Sequence, residues 1–206
     1  MTPYAYDESG RRVQTPSKGQ LREIAILDEA EKQLSTLGPD AMTVESIATA
    51  VGLTRAALYF YFRSKNDVLA ALVKRVTVEL TGAVTTSQTG TPDSIAGAIR
   101  SAVNLTRDLW DRHGAVMKAA IDLSASVPSI AALWDDARES IVDNIRHLVE
   151  GAPLSRGVST DEDEALVRVL VTMTERAFYD ATRLGALLDD TQRAVTLIWT
   201  RSLGID

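Results

Sequence analysis

Apolar residues recur at every third or fourth position along most of this chain, and that rhythm limits what it can fold into more than any other feature. Leu21, Ile24, Leu27, Ala30, Leu34 and Leu37 form one stripe on a helix. Gly38-Pro39 ends that helix, and a loop at 85–93 separates later ones. Thr91-Pro92 is a good N-cap and N1 pair. Ile99, Val103, Thr106 and Trp110 then share one helical face, and Val116 to Leu123 reads as another short helix. Ile130, Trp134, Ile141, Ile145 and Leu148 mark a long helix that stops at Gly151-Ala152-Pro153. Thr160 to Asp163 can cap the next helix, which carries two stripes side by side. Leu166, Leu170, Met173 and Ala177 form the first; Val167, Val171, Thr174 and Phe178 form the second. Val195, Ile198 and Trp199 lie on the last helix. No stretch reads as a convincing strand, so the expectation is an all-α fold of about nine helices.

A chain of 206 residues with 45% hydrophobic residues can bury a sizeable core, as one large domain or two small ones. The absence of cysteine excludes disulfides, thiolate metal sites and a cysteine nucleophile, and it fits a reducing cytoplasm. The start, "MTPYAYDESGRR", is polar and unlike a secretory signal. No stretch reaches the roughly 18 apolar residues a membrane span needs, so no membrane partner is expected. Charge is uneven. Residues 1–75 hold 10 Lys/Arg and 9 Asp/Glu, while the whole chain carries a net charge of -6. The first third is therefore basic relative to the rest, as expected where only that end meets an anion.

That end contains "TVESIATAVGLTRAALYFYF", residues 43–62. Thr43 can cap a short helix carrying Val44, Ile47, Ala48 and Val51. Gly52 breaks it, and Thr54 can cap a second short helix. Ser64 with Asp67 resembles a capping box for a third, with Asp in place of the usual Glu or Gln. Short helix, glycine turn, short helix is the helix-turn-helix arrangement, whose second helix can enter the DNA major groove. The side chains suit that use. Thr43 and Thr54 place hydroxyls at helix N-termini, where free N–H groups favour phosphate. Arg55 can offer a bidentate donor to a guanine edge, and Ala56 and Ala57 let the backbone approach. Tyr59, Tyr61 and Lys65 can reach flanking phosphates. Leu58 and Phe62, four apart, should face inward, with the chain leaving the helix near Tyr61. Phe60 has no assigned role.

"TVESIATAVGLTRAALYFYFRSKNDVLAALV" resembles the DNA-binding segment of TetR-family transcriptional regulators, through "A...VG.T...LY.YF.SK" and the leucine-rich helix that follows. The resemblance covers roughly residues 20–75. It carries the family's DNA-contacting positions over to Thr43, Thr54, Arg55, Ala56, Tyr59, Tyr61 and Lys65. Further along, "HGAVMKAA", "ALWDD", "MTERAFYD" and "LIWTRSLG" are similar to the EthR-like subgroup. That likeness implies a homodimer with a long apolar channel, and a channel wall of Ile99, Val103, Thr106, Trp110, Trp134, Ile141, Val171, Thr174, Phe178, Tyr179 and Trp199. Departures at Val171, Thr174, Ile99, Val103 and Thr106 imply a different width and ligand.

The resulting expectation is a flexible arm over 1–17, a helix-turn-helix domain over 18–64, and a ligand-binding and dimerisation domain over 65–206. The partners expected are palindromic double-stranded operator DNA, a small apolar effector and a second copy of the chain. The function expected is cytoplasmic transcriptional control, most often repression. The alternatives are a DNA-binding regulator without an effector and a helical enzyme. The enzyme reading finds little support: His113 and His147 lie on different helices, outside any metal pattern. The acids at 161–164 suit a helix start without a metal. No P-loop, GxGxxG or GxSxG occurs, and no cofactor is expected.

Overall fold

The computed structural model describes residues 5–6, 12–13, 16–89, 94–149 and 160–205, with side chains over 16–82, 94–149 and 164–205. Eight helices dominate it: α1 (Lys18–Ala41), α2 (Val44–Ala50), α3 (Arg55–Tyr59), α4 (Lys65–Thr89), α5 (Ile95–Ser124), α6 (Pro128–Val149), α7 (Thr160–Leu184) and α8 (Leu188–Leu203). Before them, β1 (Ala5–Tyr6) pairs antiparallel with β2 (Arg12–Val13) inside the segment read as an arm. The sequence reading missed this ladder because two residues a side are too few to show a period of two.

Local chemistry explains the boundaries. The Ser17 hydroxyl accepts the Gln20 N–H at 3.2 Å, and the Gln20 side chain accepts the Ser17 N–H at 2.7 Å, a capping box that starts α1. Gly38 interrupts α1 at φ 79°, a left-handed conformation that costs any residue with a Cβ, and Pro39 follows. The hydroxyl of Ser94 caps α5 by accepting the Gly97 N–H at 3.1 Å. The anticipated start at Thr91-Pro92 and the stop at Gly151-Ala152-Pro153 lie outside the described residues. One difference concerns the helix count. The two helices expected over 99–110 and 116–123 are the arms of one element, α5, bent at His113 (φ -121°, ψ 18°). Beside the bend Gly114 lets α5 come close to α7; a Cβ there would stand 3.1 Å from Thr182 Cγ2.

The chain divides into two compact units, Met1–Val68 and Leu69–Asp206, with the boundary inside α4. In the first, α2 packs on α1 and α3. Its core is Ile26, Leu27, Ala30, Leu34, Met42, Ile47, Ala48, Leu58, Phe62 and Val68. In the second, α5 packs on α6, α7 and α8, and α7 also packs on α6 and α8. Phe178 is fully buried there and stacks on Trp110, ring centroids 6.3 Å apart. The two adjacent stripes of α7 differ in burial. Val167, Val171 and Phe178 are buried, as is Leu170 of the first stripe, whereas Leu166, Met173 and Ala177 are half-buried and share their face with exposed Val169 and Leu184. Leu197 and Ile198 are likewise exposed on α8. Among the described residues no single helix is long and apolar enough to cross a membrane.

Candidate DNA-binding face and effector cavity

The seven residues assigned to DNA all belong to the first unit. Thr43, Thr54, Arg55, Ala56 and Tyr59 are exposed, and Tyr61 and Lys65 are half-buried. Gly52 turns the chain between α2 and α3 at φ 68°. The Thr54 hydroxyl then accepts the Ala57 N–H at 3.1 Å and starts α3. Arg55 lies along the outer face of α3. Its Nε and Nη2 donate to the Tyr59 hydroxyl at 3.3 and 3.2 Å, and its guanidinium stands 5.6 Å from the centre of the Tyr59 ring. The hydrogen bond to Tyr59 holds the Arg55 pKa above its usual value, so the group stays cationic. Leu58 and Phe62 are buried and anchor α3 from beneath. The helix stops at Tyr59, and Phe60, its C-cap, is 90% exposed.

Two features of this face were not read from the sequence. Lys65 has a partner in its own unit: its Nζ donates to the Pro39 carbonyl at 2.7 Å and ties the first turn of α4 to the Gly38-Pro39 break. Thr43 is held by a relay from α1. The buried Gln33 accepts from Ser46 Oγ at 2.6 Å, and the Ser46 N–H donates to Thr43 Oγ1 at 3.0 Å. Ser46 stands at the N3 position, where Glu or Gln usually completes a capping box, so the local pattern hides it. Gln33 sits in an otherwise apolar helix face, and that polar interruption was the available signal.

The second unit encloses a cavity. It holds about 70 Å³ of water-reachable space, within about 680 Å³ of space between atoms that includes its open mouth. Of the eleven expected wall residues, Ile99, Val103, Thr106, Trp110, Trp134, Ile141, Val171, Thr174 and Trp199 line it. Phe178 and Tyr179 do not. Phe178 lies behind the wall against Trp110. Tyr179 points to α5, its hydroxyl donating to Asp122 Oδ1 at 2.6 Å. Leu80, Ala102, Met117, Ala137, Arg138, Ile145 and Glu175 also line the cavity. Most are ordinary core residues, indistinguishable in sequence from any others.

Arg138 and Glu175 are different, being charged. The Arg138 Nε donates to Glu175 Oε2 at 3.0 Å, and its Nη2 donates to Oε1 at 3.3 Å. The Trp134 indole N–H donates to the same Oε2 at 3.1 Å. Burial works against the guanidinium charge, but the bonds to Glu175 and Asp135 outweigh it and its pKa is raised. Also in the wall, the Trp199 N–H donates to Thr174 Oγ1 at 2.8 Å, which itself donates to the Leu170 carbonyl at 2.8 Å.

A capped recognition helix on its own small core, joined by α4 to a helical unit with an apolar cavity, defines a helix-turn-helix regulator. Comparison with known proteins agrees. The sequence profile of bacterial regulatory proteins, tetR family, matches residues 26–72. The HTH-type transcriptional regulator EthR of Mycobacterium tuberculosis (strain ATCC 25618 / H37Rv) is 30% identical over 173 residues, 82% of this chain and 79% of that protein. EthR of Mycolicibacterium smegmatis is 27% identical over 199 residues, covering 94% of this chain and 91% of the relative. A TetR-family regulator from Streptomyces coelicolor shares the fold with a TM-score of 0.74 at 18% identity, over 93% of this chain and 82% of that one. The chain belongs to the TetR family of transcriptional regulators, in which it is EthR-like, and it is a DNA-binding regulator of transcription.

Proposed function

We propose that the chain acts in the cytoplasm as a homodimeric repressor, that its two helix-turn-helix units read a palindromic operator, and that a small apolar effector in the cavity releases it. Arg55 reads a base edge. Thr43, Thr54, Tyr59, Tyr61 and Lys65 hold the phosphates on either side, and Ala56 leaves room for the backbone. A palindrome requires two recognition helices about 34 Å apart or a multiple of that. The half-exposed apolar faces of α7 and α8 suit a two-fold interface built as a four-helix bundle.

The observation that carries the effector reading is Leu80. It lines the cavity, and it belongs to α4, whose first residue is Lys65. A ligand that displaces Leu80 acts on a helix continuous with the recognition unit. The water-reachable space of about 70 Å³ has room for about five waters. Known ligand pockets span about 300–1,000 Å³. An effector therefore favours a wider conformer over this one. If that conformer spaces the recognition helices wrongly for the operator, effector binding weakens the DNA complex by the differential affinity.

The test is selection of bound DNA fragments by the full-length protein, followed by titration of the selected operator with lipophiles that shift its melting temperature. Operator release by at least one such compound is expected. An operator affinity unchanged by every compound that demonstrably binds would leave a DNA-binding regulator without an effector.

A further inference from the structure

We propose that the Arg138–Glu175 pair sorts effectors by head-group charge, so that the cavity takes a slender apolar chain ending in an uncharged hydrogen-bonding head such as an alcohol or primary amide. The inference rests on the effector reading above and adds the ligand class. Arg138 and Glu175 are the two charged side chains in the cavity wall, and they are bonded to each other at 3.0 Å. Their charges cancel within the wall. Their hydrogen-bonding capacity is not used up. Among the described residues Glu175 Oε1 accepts only the 3.3 Å bond from Arg138 Nη2, which leaves it a lone pair. Arg138 Nη1 turns to Asp135 at 2.6 Å, and the terminal nitrogens retain N–H groups beyond those bonds.

The other donors in the wall are already committed. The Thr106 hydroxyl donates to the Ala102 carbonyl at 2.9 Å and keeps only acceptor lone pairs. Thr174 donates to Leu170 and accepts from Trp199. The ion pair is therefore the anchor that offers a donor and an acceptor together. A hydroxyl or amide head can donate to Glu175 Oε1 and accept from the guanidinium without disturbing either charge. A carboxylate head meets a guanidinium that already holds Glu175, so two like charges compete for one cation. An ammonium head meets a carboxylate already neutralised by Arg138. Either ion brings an uncompensated charge into a wall that is otherwise apolar.

The experiment is calorimetric titration of the full-length protein with four probes of one chain length: decanol, decanamide, decanoate and decylamine. Decanol and decanamide should bind at least about tenfold more tightly than the two ions. Two variants sharpen this. Glu175→Gln strips Arg138 of its counter-charge in the cavity wall and leaves it only the exposed Asp135, so decanoate should become the preferred probe. Arg138→Met leaves Glu175 unpaired, so decylamine should. The wild-type order decides even where a variant does not fold. Decanoate or decylamine binding the wild type as tightly as decanol overturns the head-group rule and leaves the effector reading intact. So does a preference that both folded variants leave unchanged. Binding by none of the four overturns the rule and counts against the effector reading as well.

Discussion

Arg55 and Tyr59 are four residues apart on α3, and their hydrogen bonds hold the guanidinium against the outer face of the helix. Base contact requires the guanidinium to trade that hydroxyl for a base edge. Arg55→Ala should therefore cost about 1–3 kcal/mol of operator affinity and relax the preference at one base pair, measured by anisotropy against single-base operator variants. Lys65→Ala should weaken binding to all sequences alike. It should also lower the melting temperature, since the bond to the Pro39 carbonyl goes with it. Phe60, 90% exposed, contributes nothing to the core, so Phe60→Ala should change stability by less than about 0.5 kcal/mol. Tyr179 and Asp122 give a pH dependence at both ends. Burial pushes the Asp122 carboxyl up, but bonds from Lys118 and Tyr179 outweigh it, and its pKa lies below the ordinary 3.8. The unfolded chain thus takes that proton more readily. The stability Asp122 adds is complete above pH 3.8 and is lost as pH falls through its lowered native value. The bond to Asp122, followed by burial, raises Tyr179 above its ordinary 10.0; its contribution is complete below that pH and is lost as pH rises through the raised value. Thermal melts across pH should show a shallower acid limb in Asp122→Asn and a shallower alkaline limb in Tyr179→Phe. The Arg55–Tyr59 spacing is visible in sequence. The Lys65–Pro39 and Tyr179–Asp122 partners are not, because each joins positions far apart in the chain.

The helices themselves were largely legible, since a 3.6-residue period imprints each buried face on the chain. What periodicity cannot say is which of two apolar faces meets the interior. On α7 both stripes read alike, yet Val167, Leu170, Val171 and Phe178 are buried while Leu166, Met173 and Ala177 remain half-buried. That second face, with Leu197 and Ile198 on α8, is the one proposed above to meet a second copy. The double variant Leu197→Glu with Ile198→Glu should keep its helical content and run as a monomer by light scattering. Its operator affinity should fall by well over tenfold, because one helix-turn-helix unit reads only half a site. Periodicity also passes over bends. The stripe over 99–110 and the run over 116–123 read as separate helices, although the backbone joins them in α5 through the bend at His113.

At the scale of the molecule, one unit carries the helix-turn-helix and the other holds the cavity. Phe178 is fully buried against Trp110 behind the cavity wall, so Phe178→Ala should cost about 3–5 kcal/mol by urea melts. A lipophile at a hundred times its dissociation constant should stabilise the protein by about 2.7 kcal/mol and weaken operator binding in the same titration. Stabilisation without loss of operator binding would separate the cavity from regulation.

The all-helical class, the glycine turn and the two threonine caps follow from local spacing, because caps, turns and helical faces are set by residues within four or five positions of each other. The relay from Gln33 to Thr43, the inward stripe of α7 and the Arg138–Glu175 pair in the cavity wall come from the packing of separate helices. Arg138 and Glu175 are 37 positions apart, and each alone reads as an ordinary charge on a helix surface. Helices that bring both half-buried side chains into one wall leave them neutralised by each other, and that juxtaposition has no local signature in the chain.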